Sequence, residues 1–126
     1  MRYLVVDIGS GSVKIYLAAL DDRKRFTMEE ADRFETGRTS LEGHTVTNVF
    51  AVYDRICEVI RKLGRKGIKI DAMGIDSWCS DYGILDMDSG AVTIPVFYRD
   101  PRTDGYGRRV EQVMDYREIY RLTTQR

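Results

Sequence analysis

The sequence has few residues of the kinds that mark metal or disulfide chemistry. It holds only two cysteines, one histidine and one tryptophan in 126 residues. The cysteines, Cys57 and Cys79, stand far apart, with no histidine or cysteine at the spacing of metal ligands. Two such isolated thiols indicate a reduced protein rather than a disulfide framework or a zinc site. The lone histidine, His44, lies in a polar stretch without an evident partner, and we assign it no role.

The sequence also lacks net charge and long apolar runs. Lys and Arg total 20, Asp and Glu total 20, and the net charge is zero, so nothing in bulk electrostatics favours nucleic acid or an anionic membrane. No run approaches the roughly 20 apolar residues of a membrane helix. The apolar start of the chain is too short for a signal sequence and is interrupted by Asp7. We therefore expect one cytoplasmic domain, with no membrane or nucleic-acid partner.

Three strands are predicted in the first third of the chain. The run at 3–8 is nearly all apolar, which is typical of a strand buried on both faces. The run at 13–20 alternates apolar and polar residues, and so does 26–34 until Glu30, where we expect a bulge or an exposed edge. Together these runs predict a three-stranded meander.

The pattern then changes from a period of two to the period of a helix. After a polar loop at 35–45, apolar residues recur every three or four positions and predict a helix over 47–66, with Thr47 as its N-cap and Gly64 or Gly67 as its stop. Further elements are a strand over 68–76, a hairpin from 82–85 to 91–96, and helices over 104–113 and 116–122, the last capped by Asp115. This is a mixed α/β chain with the order β-β-β-α-β, then a hairpin and C-terminal helices.

The turn that follows the first strand could bind an anion. It consists of Gly9, Ser10, Gly11 and Ser12, with Lys14 two positions later. Glycines allow close approach of a ligand, and successive amides in such a turn can form an anion-binding concavity. Asp7, at the strand end, could hold Mg²⁺ through water. The turn matches neither a Walker nor a Rossmann motif. An ordinary β-hairpin explains the same residues equally well.

Two later loops also carry residues that could bind a ligand. Asp76, Trp78 and Asp81 follow a strand, and a Trp ring beside carboxylates suits a sugar. Farther along stand Arg99 and Asp100, where cations around one carboxylate could contact a polyol or phosphate, or could simply brace the loop. For each residue a structural role remains open.

Together, these stretches resemble the FGGY carbohydrate kinases of the sugar kinase/Hsp70/actin superfamily, and the rhamnulokinase branch in particular. The resemblance rests on four stretches in the right order and spacing, which read DIGSGSVK, RFETG, GIDSWCSDYGILD and PVFYRDPRT. It implies a ribonuclease H-like, actin-like ATPase domain. It implies that the loop from Gly9 to Lys14 contacts the phosphates of ATP and that Asp7 lies near Mg²⁺.

The resemblance also suggests a ketose substrate such as L-rhamnulose. It implies that the loop holding Trp78, Cys79 and Asp81 faces this sugar, and we add Arg99 and Asp100 as candidate contacts. Four positions depart from the family pattern. Cys79 stands in place of a glycine at a substrate contact, Thr47-Asn48 in place of Trp-Asp, and Lys14 in place of arginine. A side chain at Cys79 suggests a different sugar or a different pose.

Members of this family are several times longer, and a second actin-like lobe carries their catalytic base. We therefore expect residues 1–126 to be a single N-terminal domain, a fragment without that lobe. We expect it to hold no catalytic residue and to be inactive alone. Two other classes stay open: a non-catalytic module that binds a sugar or a partner, with a homodimer through the exposed inter-lobe face, and a metal-dependent nuclease of the same fold class.

Overall fold

The computed structural model describes residues 1–124 and is built on a four-stranded mixed sheet. Strand β1 (Arg2–Ile8) pairs antiparallel with β2 (Ser12–Leu20), which pairs antiparallel with β3 (Phe26–Glu35). Strand β6 (Ala72–Ser77) lies parallel to β1, so the sheet order is β3-β2-β1-β6. The predicted meander is confirmed, and β1, the strand with the most continuous apolar run, has a paired strand on both sides.

The predicted irregularity near Glu30 is a β-bulge. Ile15 pairs with Asp32 and Tyr16 pairs with Glu30, which leaves Ala31 as an extra residue in β3. An extra residue bends the strand and increases its twist. The alternation in the sequence becomes irregular at this point because the residues after the bulge face the opposite side from the one expected.

Helix α1 (Val49–Arg65) covers one face of the sheet. Leu4, Val6, Val13 and Ile15 are fully buried beneath it, and they pack with residues that recur at helical spacing along α1, Val52, Ile56, Val59 and Leu63. Complete burial of one such side chain contributes about 1.5–3 kcal/mol. The predicted N-cap Thr47 is wrong. Asn48 caps the helix, its side chain accepting a hydrogen bond from the amide of Ala51.

The polar stretch at 35–45 is not a loop, contrary to expectation. It contains a second hairpin, formed by β4 (Arg38–Leu41) and β5 (His44–Thr47). The two residues between the strands, Glu42 and Gly43, both have positive φ, 50° and 82°. Two central residues with positive φ are the feature of the type I′ turn, which suits a two-residue hairpin loop. The sequence does not reveal it because β4 is exposed throughout and shows no apolar alternation.

Downstream of β6 the chain has less regular structure than the sequence suggests. The predicted hairpin at 82–96 is reduced to one bridge between Leu85 and Val92, because the amide of Ile84 donates to the hydroxyl of Thr93 instead of to a backbone carbonyl. A 3₁₀ turn (Pro101–Thr103) precedes α2 (Tyr106–Glu111) and α3 (Tyr116–Thr123). Helix α2 begins later than predicted because Gly105 has a left-handed backbone conformation. Asp115 caps α3 as predicted.

Strand β6 is the most exposed element of the sheet. It is shorter than the predicted 68–76 strand at its start, and all six of its residues are exposed. Met73 and Ile75 keep 50% and 56% of their surface accessible. Among residues 1–124, β6 has β1 as its one neighbour in the sheet. None of the helices in this part of the chain is long and apolar enough to cross a membrane.

Candidate functional site

The turn between β1 and β2 is closed by its own backbone. The amide of Gly9 donates to the carbonyl oxygen of Ser12 at 3.0 Å. A Cβ atom at position 9 would lie 2.9 Å from that oxygen, closer than real side chains come, so the tight turn requires glycine there. A Cβ atom at Gly11 would meet nothing within 4 Å. The backbone is therefore crowded at the entry to the turn and open at its tip.

Three consecutive carbonyl groups of the turn are held from one side. The hydroxyl of Thr36 donates to the carbonyl oxygen of Gly9 at 2.6 Å, and its amide donates to that of Gly11 at 3.1 Å. Between them, the guanidinium of Arg38 donates to the carbonyl oxygen of Ser10. Thr36 is almost completely buried, 5% exposed, so it forms a fixed support behind the turn.

The same bonds determine where the amides of the turn point. No described peptide bond is cis, and in a planar trans peptide the N–H points away from the preceding carbonyl. The N–H groups of Ser10, Gly11 and Ser12 therefore point away from Thr36 and Arg38. Those of Ser10 and Gly11 donate to no atom of the described chain. The turn thus presents adjacent free donors, which is the arrangement that binds anions.

A row of charged residues crosses the sheet beside this turn, on the face opposite α1. Asp76 of β6, Asp7 of β1, Lys14 of β2 and Arg33 of β3 occupy paired positions on consecutive strands. Side chains of directly paired residues stand on the same face. Lys14 Nζ lies 3.2 Å from Asp7 Oδ2. The pKa of Arg33 is raised, chiefly by its hydrogen bond with Glu30. Two carboxylates and two cations therefore lie next to the turn at 9–12.

Two of the sugar-facing candidates, Trp78 and Asp81, line an open cavity of about 330 Å³ between the first half of α1 and the end of β6. The other residues around it are mostly apolar, among them Val52, Ile56 and Ile75. The indole Nε1 of Trp78 is buried and has no hydrogen-bond partner in residues 1–124. The free thiol of Cys79, the neighbouring candidate, is exposed.

Both oxygens of the Asp81 carboxylate are occupied by neighbouring segments. Oδ2 accepts from the hydroxyl of Thr47 at 3.1 Å, and Oδ1 accepts from the amide of Tyr98 at 2.7 Å. Asp81 thereby joins the loop after β6 to β5 and to the loop at 97–103.

Asp100 is buried inside that same loop, with only 1% of its surface exposed. Its carboxylate accepts from the amides of Thr45 (2.6 Å) and Arg102 (3.0 Å), and it lies 3.2 Å from Nδ1 of His44. These donors, the Thr45 amide most of all, lower the pKa of Asp100 to about 2. Arg99 is exposed, and its guanidinium lies over the ring of Tyr98. A sugar-binding role for Asp100 and Arg99 stays a prediction, and the observed contacts give Asp100 a structural part.

The structure adds residues that sequence reasoning missed. Thr36 and Arg38 support the turn, and His44 has a partner, Asp100. Thr36 falls within one of the family-like stretches, RFETG, which is the one signal that could have pointed to it. His44 and Asp100 stand 56 positions apart, and their contact depends on a hairpin that the sequence did not reveal.

Comparison with solved structures identifies the class of fold. The chain superposes on a ligand-bound xylulose kinase from Lactobacillus acidophilus with a TM-score of 0.71 and 18% identity, over 95% of this chain and 24% of that one. A gluconate kinase from the same organism gives 0.69 and 17%, over 96% and 25%. The fold is therefore that of the actin-like sugar kinases, as expected. No family model matches the chain.

Sequence comparison points to one branch of these kinases. The chain is 34% identical over 121 residues to a rhamnulokinase of Yersinia pestis bv. Antiqua, and equally to one of Yersinia pseudotuberculosis. Each match covers 95% of this chain and 25% of the relative. The resemblance to FGGY carbohydrate kinases, rhamnulokinases in particular, is thus confirmed. The chain spans a quarter of the length of the curated relatives it matches.

Proposed function

We propose that this chain is the phosphate- and sugar-facing domain of a sugar kinase that transfers the γ-phosphate of ATP to a ketose such as L-rhamnulose. The observation that carries the proposal is the turn after β1. Three carbonyls of this turn are held from behind, its amides face outward, and it belongs to a chain that is 34% identical to rhamnulokinases. Gly9, Ser10, Gly11 and Ser12 would receive the phosphates, with Lys14 as a nearby cation.

The carboxylates beside the turn fit Mg²⁺ in the way expected of a nucleotide site. Asp7 and Asp76 are paired across β1 and β6, so their side chains share one face of the sheet. No group of three or more acidic, histidine or cysteine residues in positions 1–124 could hold a metal by itself. Mg²⁺ commonly keeps several waters and binds one or two carboxylates together with phosphates. Asp7 would hold the ion, which would neutralise phosphate charge, and Asp76 would assist through water.

For the sugar, the cavity beside α1 supports a role for Trp78. Its ring can stack on the C–H face of a sugar, and its buried Nε1 has no acceptor among residues 1–124, so a sugar hydroxyl could accept its hydrogen bond. Asp81 and Asp100 would keep the loops in place through the hydrogen bonds described above, while exposed Arg99 would reach hydroxyl groups. Cys79 would restrict the pose, because the similar family motif has glycine at that position.

Phosphoryl transfer depends on positioning two substrates and stabilising developing charge between them. We propose that residues 1–126 form one domain that supplies one wall of this arrangement and does not turn over substrate alone. The catalytic base would belong to the part of the relatives that this chain does not match. Transfer by the assembled enzyme would then use this chain to bind and orient the phosphates and the ketose.

Two measurements test the proposal. In an amide NMR titration, Mg·ATP should shift the resonances of Ser10, Gly11 and Ser12 much more than those of the far hairpin at 21–25. A coupled ADP-release assay with ATP and L-rhamnulose should show no turnover. Unmoved turn resonances at millimolar Mg·ATP would overturn phosphate binding, and robust turnover would overturn the claim that this chain is inactive alone.

Two further expectations belong with this proposal. We expect a cytoplasmic location, which the two free thiols support. A homodimer through the exposed face is supported by the half-exposed Met73 and Ile75 on the unpaired edge of the sheet. Sedimentation velocity over a concentration series tests the dimer, and a single monomer boundary at high concentration would count against it.

A further inference from the structure

The β4–β5 hairpin connects the two loops to which ligands are assigned. On one side, Arg38 of β4, together with Thr36 two positions before it, holds the turn at 9–12. On the other, the β5 residues Thr45 and Thr47 hold the segment at 95–100. The amide of Phe97 donates to the carbonyl oxygen of Thr45, and the amide of Thr47 donates to that of Pro95, both at 2.9 Å.

Arg38 contacts both loops with one side chain. Its guanidinium donates to the carbonyl oxygen of Ser10, and its central carbon lies 3.8 Å from the ring centroid of Phe97. The Phe97 ring is itself fixed, because it is only 7% exposed and packs edge-on against Tyr98 at 4.7 Å. When a guanidinium stacks on a fixed ring, the ring determines the plane of the guanidinium. It thereby also determines the direction of the N–H groups.

The hydrogen bond from Arg38 also affects the neighbouring amide. The carbonyl of Ser10 and the N–H of Gly11 belong to one planar peptide group. Any rotation of this carbonyl therefore turns the Gly11 N–H, one of the free donors of the turn. A displacement of Phe97 would act through Arg38 on the direction of an anion-binding group.

The charge of Arg38 is not used elsewhere. No carboxylate among the described residues forms an ion pair with it, whereas Arg25, Arg33 and Arg55 all have such partners. A cation that only braced a hairpin would gain from an acidic neighbour. Arg38 instead contacts the carbonyl oxygen of Ser10 in the turn and the ring of Phe97 in the loop at 97–103.

We propose that Arg38 is a positioning residue that couples the turn at 9–12 to the loop at 97–103, so that occupancy of one changes the affinity of the other. The identity of the two ligands, Mg·ATP and a ketose, rests on the proposed function. The coupling itself is a property of the chain without ligand.

A double-mutant cycle on the free protein tests the coupling. Phe97→Leu, or Phe97→Tyr if the leucine variant does not fold, should shift the Gly11 amide resonance in the wild-type background. In an Arg38→Met background the same change should leave Gly11 unmoved. Arg38→Lys should not restore the response, because an ammonium cannot both donate and stack as a planar group. Phe26→Leu and Arg25→Met serve as matched controls far from the turn.

A second measurement separates this inference from the proposed function. If Mg·ATP binds, L-rhamnulose should change its dissociation constant about fivefold or more in the wild type, and Arg38→Met should reduce that factor towards one. Equal Gly11 shifts in both backgrounds of the cycle would overturn the coupling, whether or not ATP binds. Failure of Mg·ATP to bind the wild type, with the cycle as expected, would overturn the proposed function alone.

Discussion

The hydroxyl of Thr36 donates a hydrogen bond of 2.6 Å to the carbonyl oxygen of Gly9, although 27 positions separate the two residues. Thr36 follows β3 and Gly9 follows β1, so the bond joins the ends of two strands that are separated by β2 in the sheet. It determines which way the turn presents its peptide groups. The shape of the turn at 9–12 therefore depends on a buried residue outside it.

Replacing Thr36 by valine should loosen the turn. Valine preserves the shape of the side chain but leaves the part-buried Gly9 carbonyl without its donor, and such a loss costs up to about 1–3 kcal/mol. We expect the free energy of unfolding in urea to fall by that amount. Thr39→Val, at an exposed position of β4, is the control and should change it by less than about 0.5 kcal/mol. Equal unfolding midpoints for the two variants would refute the bracing role of Thr36.

The two glycines of the turn should respond differently to alanine. At Gly9 the added Cβ atom would lie 2.9 Å from the Ser12 oxygen, so the backbone must shift, and we expect a loss of roughly 1–3 kcal/mol, as for overpacking. At Gly11 the space is open and φ is not positive, so alanine should be neutral or slightly stabilising, because it restricts the unfolded chain. Thermal unfolding of both variants distinguishes them. Equal losses of stability in the Gly9→Ala and Gly11→Ala variants would show that the tip of the turn is as crowded as its entry.

The sequence revealed the turn and the main elements of the fold, but not the hairpin that supports the turn. The strands and α1 were predictable because their apolar residues repeat with the period of the element that buries them. The DIGSGSVK stretch likewise identified the turn. The hairpin at 38–47 was not predictable, because its stabilising contacts come from residues distant in sequence: Thr45 with Asp100, Thr47 with Asp81, and Arg38 with Phe97. His44 went unassigned for the same reason.

Asp100 should make the stability of the protein depend on pH in the acid range. Its folded-state pKa of about 2 lies below the value of about 3.9 for an unfolded aspartate, so the folded state binds the proton more weakly. The stabilisation is fully present above about pH 4 and is lost as the pH falls towards 2. We expect Asp100→Asn to lower the unfolding midpoint at pH 7.

The comparison of unfolding curves at several pH values checks this assignment. The difference in unfolding midpoint between the wild type and Asp100→Asn should become smaller as the pH falls from 4 to 2. The reason is that the wild-type carboxylate becomes protonated and loses its charge-assisted hydrogen bonds. Asp22→Asn, on an exposed turn, is the control and should leave the pH profile of the wild type unchanged. A difference in unfolding midpoint that stays constant from pH 7 to pH 2 would mean that the charge of the Asp100 carboxylate contributes nothing to stability.

Lys14 should matter for anion binding far more than for folding. Its ion pair with Asp7 is partly solvated, with side-chain exposures of 32% and 42%, and such pairs contribute only about 0–1 kcal/mol to stability. Lys14→Met should therefore change the free energy of unfolding by no more than that. In the proposed site the same change removes a cation close to the phosphates, and we expect the affinity for Mg·ATP to fall about tenfold at low salt and less at high salt. Lys24→Met, in the exposed turn between β2 and β3, should leave the affinity unchanged. An Mg·ATP affinity equal in the wild type and both variants would exclude Lys14 from the phosphate site.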